Sequence, residues 1–347
     1  MTEIIYITED DQPAPNFLEP YLQSGNLNFL IGSGASYPAI KTAGNIEVEI
    51  NNLLTANKDD EANKKCFEFL RAVSVANKAL TVPGFNANIS KVKRRYIEFL
   101  SVVDRILFAR KNILLARQAN IFTTNYDLFF EHAASAIPGI VLNDGFDRSS
   151  LMKAATFSPE RYFDRTYRSG TFYNHQIEIP TINLIKLHGS FSWRKKSDAV
   201  VFDAAPVAMP TSAEESNPAK IREYLQKHFL ILPNFRKFHA TLMERVYYDL
   251  LRLYSRALEQ QNVTLLVFGF SFADEHILDL TRRALRNPTS QLIIFSYNHP
   301  SAEHFKTKFA EQRNVTVIAP DPATVLDFPR LNKILASILP AKADAAA

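Results

Sequence analysis

Residues 265–274 read Leu265-Leu266-Val267-Phe268-Gly269-Phe270-Ser271-Phe272-Ala273-Asp274. A short apolar run stopped by glycine and polar residues is the pattern of a buried strand entering a tight turn. A helix follows, with Ile277, Leu280 and Ala284 on one face. Leu292-Ile293-Ile294-Phe295 is a second strand, after which Pro300-Ser301 opens a helix. Val315-Thr316-Val317-Ile318 is a third, and Asp321-Pro322 is expected to cap a helix reaching about Ile338. Strands and helices alternating at this spacing predict crossover units and a parallel sheet.

The same pattern extends towards the N-terminus. Leu27-Asn28-Phe29-Leu30-Ile31 is the first clear strand, ending in Gly32-Ser33-Gly34-Ala35-Ser36. Tyr96, Phe99, Leu100, Val103, Ile106 and Leu107 follow helical spacing, and Phe67, Leu70 and Val73 make a weaker earlier case. These helices form an insertion over about 41–118. A strand ending at Ile121-Phe122 leads into Thr123-Thr124-Asn125-Tyr126-Asp127, and Ile140-Val141-Leu142 is another short strand. Thr181 to Leu187 regains strand character and ends at His188-Gly189-Ser190. Segments of about 145–180 and 193–228 are expected to be loop-rich, with Asp203 to Ala219 a loop or lid. The expected class is α/β: a Rossmann-like parallel sheet flanked by helices, with a helical insertion after the first strand. It is read as one domain over 1–340 with a frayed tail at 341–347.

Composition narrows the options. An apolar share of 46% and a charged share of 22% belong to a folded soluble chain rather than a disordered one. Forty Lys and Arg against 36 Asp and Glu leave a net charge of +4, too small to imply nucleic-acid binding. Residues 1–15 lack the basic start and apolar stretch of a signal peptide, and no apolar run reaches the roughly 18–20 residues of a membrane helix. Cys66 is the one cysteine, which rules out an internal disulfide or a Cys-x-x-Cys metal pair. A reduced, cytoplasmic protein is expected.

Ligands collect where parallel strands end. At Gly32-Ser33-Gly34-Ala35-Ser36 the missing Cβ atoms let a phosphate approach the backbone, although Tyr37 stands where a third glycine would complete the dinucleotide fingerprint. A plain strand-ending turn explains this run as well. Thr123–Asp127 serves equally as a cap for the helix carrying Phe129 and Phe130, or as a platform from which Asn125 reaches a ribose or a water. His188 is either a structural hydrogen-bonding residue or a base able to take a proton near neutral pH. Ser271 and Asp274 suit capping or ligand contact, and Ser296-Tyr297-Asn298 is a fifth polar strand end. Five such ends on one edge of a sheet are better explained by a shared site than by five separate accidents.

In this order, Gly-x-Gly-Ala-Ser, Thr-Thr-Asn-Tyr-Asp, Leu-His-Gly, Gly-Phe-Ser-Phe and Tyr-Asn resemble the sirtuin-like NAD-consuming superfamily. The runs 121–127 and 186–190 are similar to the branch found in bacterial antiphage defence, including proteins paired with a HerA-type ATPase. The resemblance covers roughly residues 26–318 and is dense only at the motifs. It implies that Gly32, Ser33, Gly34, Ala35 and Ser36 cradle the pyrophosphate of NAD. It further implies that Asn125, with Thr124 beside it, holds the nicotinamide ribose or attacking water, that Asp127 faces the carboxamide, and that His188 is the general base. Gly269, Ser271 and Asn298 would contact the adenosine side, with Phe272 and Asp274 also counted among the NAD-binding residues. The implied activity is an NAD glycohydrolase whose products are nicotinamide and ADP-ribose. As a defence effector it would deplete NAD on a trigger and drive abortive infection.

Departures from the family matter as much. Sirtuin deacylases carry a four-cysteine zinc module, which one cysteine cannot supply, and a Pro-Asp-Phe-Arg segment where this chain has Tyr37-Pro38-Ala39-Ile40-Lys41. Deacylation is therefore placed behind NAD hydrolysis, and no zinc is expected. A non-catalytic NAD or ADP-ribose scaffold and a zinc-free deacylase are the alternatives. Because an unregulated NADase drains its own cell, a homo-oligomer or a HerA-type ATPase partner is expected, with nucleic acid involved only indirectly and no membrane. Lys91, Lys93, Arg94 and Arg95 form a basic cluster, read as a solvated helix face or a partner contact. Trp193 is read as a core residue, or as a ring stacking near nicotinamide.

Overall fold

The computed structural model describes residues 2–42, 44–81, 86–112, 114–149, 153–170, 176–197, 199–205, 207–211, 214–231 and 245–339. The tail at 341–347 lies outside them. The strands are β1 (Glu3–Ile7), β2 (Asn26–Ile31), β3 (Gln118–Thr123), β4 (Val141–Asn143), β5 (Phe146–Asp147), β6 (Thr156–Phe157), β7 (Tyr167–Ser169) and β8 (Gln176–Glu178). They continue with β9 (Thr181–Lys186), β10 (Trp193–Lys196), β11 (Ala199–Phe202), β12 (Val263–Phe268), β13 (Gln291–Phe295) and β14 (Val315–Pro320). The helices are α1 (Ala14–Ser24), α2 (Gly44–Thr55), α3 (Asp59–Thr81), α4 (Ala87–Ala109) and α5 (Phe129–Ala134). After them come α6 (Pro218–Gln226), α7 (Arg245–Leu258), α8 (Glu275–Ala284), α9 (His299–Lys308) and α10 (Phe328–Ser337).

Eight strands form one sheet in the order β1-β14-β13-β12-β2-β3-β9-β4, and every pairing in it is parallel. The α/β class expected from the sequence is the one observed. Its central strands are apolar on both faces because helices cover both. Along β2, Leu27, Phe29 and Ile31 face one core, shared with α3, α4 and α10, while Leu30 faces the other, shared with α7, α8 and α9. Fully burying each phenyl ring contributes roughly 1.5–3 kcal/mol. The edge-to-face pair Phe29–Phe99, centroids 5.4 Å apart, is one such term holding the helical insertion on the sheet.

Helix starts follow capping chemistry. Asn86 accepts hydrogen bonds from the Asn88 and Ile89 amides to begin α4, and Asn298 does so from the Ser301 amide to begin α9. The last helix begins later than the Asp321-Pro322 signal suggests. Asp321 closes a turn through the Thr324 amide instead, and Asp327 caps α10 by accepting from the Arg330 amide. The edge strand β1 has no clear sequence signal, since only Ile7 of its five residues is buried. Within 145–180 and 193–228 the chain forms short strands and α6 where loops were expected. The strands β10-β11-β6-β5 make a small antiparallel sheet, and β7 pairs with β8. Trp193 is in the core of the small sheet, its ring 5.6 Å from that of Phe146 and 5.2 Å from that of Phe157. Strands of two to four residues are too short for periodicity to register. Among the described residues, no helix is long and apolar enough to cross a membrane.

Candidate functional site

Chain connections leave β2 towards β3 on one side and leave β12 towards β13 on the other. The carboxyl ends of β2 and β12 therefore bound a crevice at a topological switch point, the place where open α/β sheets take ligands. A cavity of about 590 Å³ opens there. The two strand ends are joined by backbone: the Gly32 amide donates to the Phe268 carbonyl and the Gly34 amide to the Gly269 carbonyl, both at 3.0 Å. A Cβ on Gly32 would lie 2.3 Å from the Gly269 carbonyl oxygen. Gly269 adopts φ +66°, and its added Cβ would lie 2.8 Å from the Ala35 nitrogen. Both glycines are needed for this close approach, and they leave an open cradle of backbone beside Ser33 and Gly34.

Asn125 stands over that cradle. Its Nδ2 donates to the Gly32 carbonyl at 3.0 Å and to Ser36 Oγ at 3.3 Å, which leaves Oδ1 as the amide's acceptor, and the residue lines the cavity. Ser36 in turn donates to Asp127 Oδ2 at 2.7 Å and lies 2.8 Å from Tyr96 Oη. Because the single Ser36 proton goes to the carboxylate, Tyr96 is the donor in the second bond. Asp127 also accepts from the Phe129 amide at 3.3 Å, so Asp127 takes the helix-start role that the sequence left open for this run. Burial pushes the Asp127 carboxyl above its ordinary value, opposed by the charge of Lys186 and the Ser36 hydroxyl.

Lys186, at the end of β9, is buried. Its Nζ pairs with Glu131 Oε1 at 2.8 Å, donates to Ser190 Oγ at 3.0 Å and reaches the Asp127 carbonyl. Burial likewise raises the Glu131 carboxyl, with Lys186 pulling it back. Two residues on, His188 lines the cavity with Nε2 3.1 Å from Asp274 Oδ2.

The expected residues divide in two. Ser33, Gly34, Ser36, Thr124, Asn125, Asp127, His188, Gly269, Ser271 and Asp274 line the one cavity. Gly32, Ala35, Phe272 and Asn298 do not. Gly32 forms the strand-end contact, and Ala35 is fully buried beneath it. Phe272 sits among the rings of Phe270, Phe305 and Phe309. Asn298 spends its side-chain oxygen on Ser301, so Tyr297 and Ser301 face the cavity in its place.

Phe69 and Val73 of α3 and Tyr37 also line the cavity and were not anticipated as site residues. An i, i+4 apolar pair reads as core in any helix, so nothing local marked them. Arg95 of the basic cluster donates to the Tyr37 carbonyl at 3.2 Å, tying α4 to the cavity rim, while Lys91 and Arg94 are exposed. None of the described residues between Asp203 and Ala219 lines the cavity; Glu215 instead pairs with Arg71 of α3 at 2.9 Å.

The glycine cradle gives a direct prediction. Gly32→Ala is expected to force β2 and β12 apart, costing about 1–3 kcal/mol as overpacking does, which a thermal melt reads as a lower midpoint. An alanine variant that melts like the native protein would show that the close approach is dispensable.

A family model described as "SIR2-like domain" matches residues 119–318, more than half of the chain. That span runs from β3 to β14 and leaves the glycine turn at 32–36 outside it. No curated protein matches the sequence significantly.

Proposed function

Because the chain belongs to the SIR2-like family, whose domains use NAD, we propose that it is an NAD glycohydrolase releasing nicotinamide and ADP-ribose. The observation that carries this reading is the convergence of Asn125 and His188 on one cavity beside the Gly32–Gly269 contact. The glycine turn lines the cavity through Ser33 and Gly34, where the absence of a side chain on Gly34 suits the approach of a pyrophosphate. Asn125 presents Oδ1 to a ribose hydroxyl or a water. His188 accepts the proton of the attacking water as the water oxygen bonds to C1′. The C1′–nitrogen bond breaks with its electron pair leaving on nicotinamide, through an oxocarbenium-like transition state.

In the cell this activity would act as the triggered effector of a cytoplasmic antiphage system, depleting NAD. The motif resemblance at 121–127 and 186–190 supports that setting, and the need to restrain an NADase supports control by a HerA-type ATPase or by homo-oligomerisation.

One assay separates the readings. NAD is incubated with the purified chain, alone, with an acyl-lysine peptide and with a HerA-type ATPase, and nicotinamide and ADP-ribose are quantified chromatographically. Release without peptide is expected, enhanced by the ATPase. Release only with peptide identifies a deacylase; tight NAD binding without release under every condition identifies a scaffold.

A further inference from the structure

The Asp274–His188 pair joins residues from strands that are not neighbours. In the order β12-β2-β3-β9 the pair crosses the ends of two intervening strands, roughly 14 Å at about 4.8 Å per strand. The turn 269–274 makes this reach with Phe272 at φ +54°, a left-handed conformation that a bulky residue adopts only under strain. Burial of the Phe272 ring against Phe305 and Phe309 holds the turn in place. Asp274 Oδ1 accepts from the His276 and Ile277 amides at 3.1 and 3.2 Å, which fixes the carboxylate rotamer at the start of α8. The second oxygen, Oδ2, lies 3.1 Å from His188 Nε2.

We propose that Asp274 is a positioning residue that presets the histidine tautomer for NAD cleavage. An ionised carboxylate only accepts, so Nε2 carries the proton and the lone pair of the neutral imidazole lies on Nδ1. Nδ1 has no hydrogen-bond partner among the described residues, and His188 lines the cavity. Nδ1 is thus the atom that takes the proton from the incoming water or ribose hydroxyl, and Asp274 stabilises the imidazolium that forms. The role assigned here to Asp274 differs from an NAD contact, and it rests on reading His188 as the base.

Asp274→Asn tests the role without removing the cap, because asparagine caps helices as well as aspartate does. The variant amide donates to Nε2 and forces the proton onto Nδ1. The expected result is an unchanged melting temperature and KM for NAD, with kcat lowered by about 10²–10⁴-fold. A second readout needs no turnover: nitrogen-15 histidine NMR, with the His188 signal assigned by its loss in His188→Gln. The native protein should show the Nε2–H tautomer and Asp274→Asn the Nδ1–H tautomer. Native kcat in the variant, a rise in KM alone, or the same tautomer in both proteins overturns the proposal. The expected tautomers in a protein that releases no nicotinamide would uphold the pair and remove the NAD-cleavage reading instead.

Discussion

Replacing His188 with alanine is expected to lower nicotinamide release by about 10²–10⁴-fold, the usual loss when a general base is removed. The fold should survive. The imidazole lies against Asp274, Nε2 3.1 Å from Oδ2, and Asp274 keeps its two amide donors at the start of α8 when the ring is gone. The same experiment at Asn125 is less clean, because the Asn125 amide also holds the Gly32 carbonyl and Ser36. A loss of activity there mixes chemistry with distortion of the glycine turn. Steady-state nicotinamide release, with a thermal melt on the same sample, checks the histidine variant. Native turnover by a folded His188→Ala protein would remove the base from the mechanism.

Lys186→Met is expected to destabilise the protein by about 3 kcal/mol, at the low end of the 3–5 kcal/mol seen when one partner of a buried ion pair is removed. The low end applies because the Glu131 side chain keeps 17% exposure whereas Lys186 keeps 3%. The methionine retains the length of the lysine stem, so the loss is electrostatic rather than a cavity. It leaves the Glu131 carboxylate without its ion-pair partner and also removes the donor to the Asp127 carbonyl and Ser190. Nicotinamide release should fall as the Asn125–Asp127 turn loosens. Adding Glu131→Gln should recover part of the stability, because the uncompensated charge is then gone. Urea unfolding of the two variants measures both effects. A Lys186→Met midpoint equal to the native one would show that the pair contributes nothing.

Lys186 also shows where the sequence stops being informative. In the chain it is a polar residue at the end of a strand, and its burial is legible only once Glu131 of α5 is placed beside it. Tyr96 is a similar case. Helical spacing marks it as core, which it is, yet its hydroxyl also lies 2.8 Å from Ser36 Oγ, whose proton goes to Asp127. Phe69 and Val73 look like any apolar stripe until α3 folds over the cavity. Asn298 shows how a polar strand end serves as a helix cap, a role its sequence position shares with ligand contact. Capping takes the Asn298 side chain here.

The parallel sheet, its helical insertion and the five strand ends are local properties. Apolar runs stopped by glycine and polar residues follow from the alternation of buried and turn-forming side chains, which any reader of the chain can count. Candidates such as Asn125 and His188 come from the same reading, aided by motif order. Which ends meet is not local. The contact between Gly32 and Gly269, and the reach of Asp274 across β2 and β3 to His188, depend on the order in which crossovers place strands side by side. The energetic reward for that order comes from burying both sheet faces at once, a quantity belonging to the packed molecule and to no single segment.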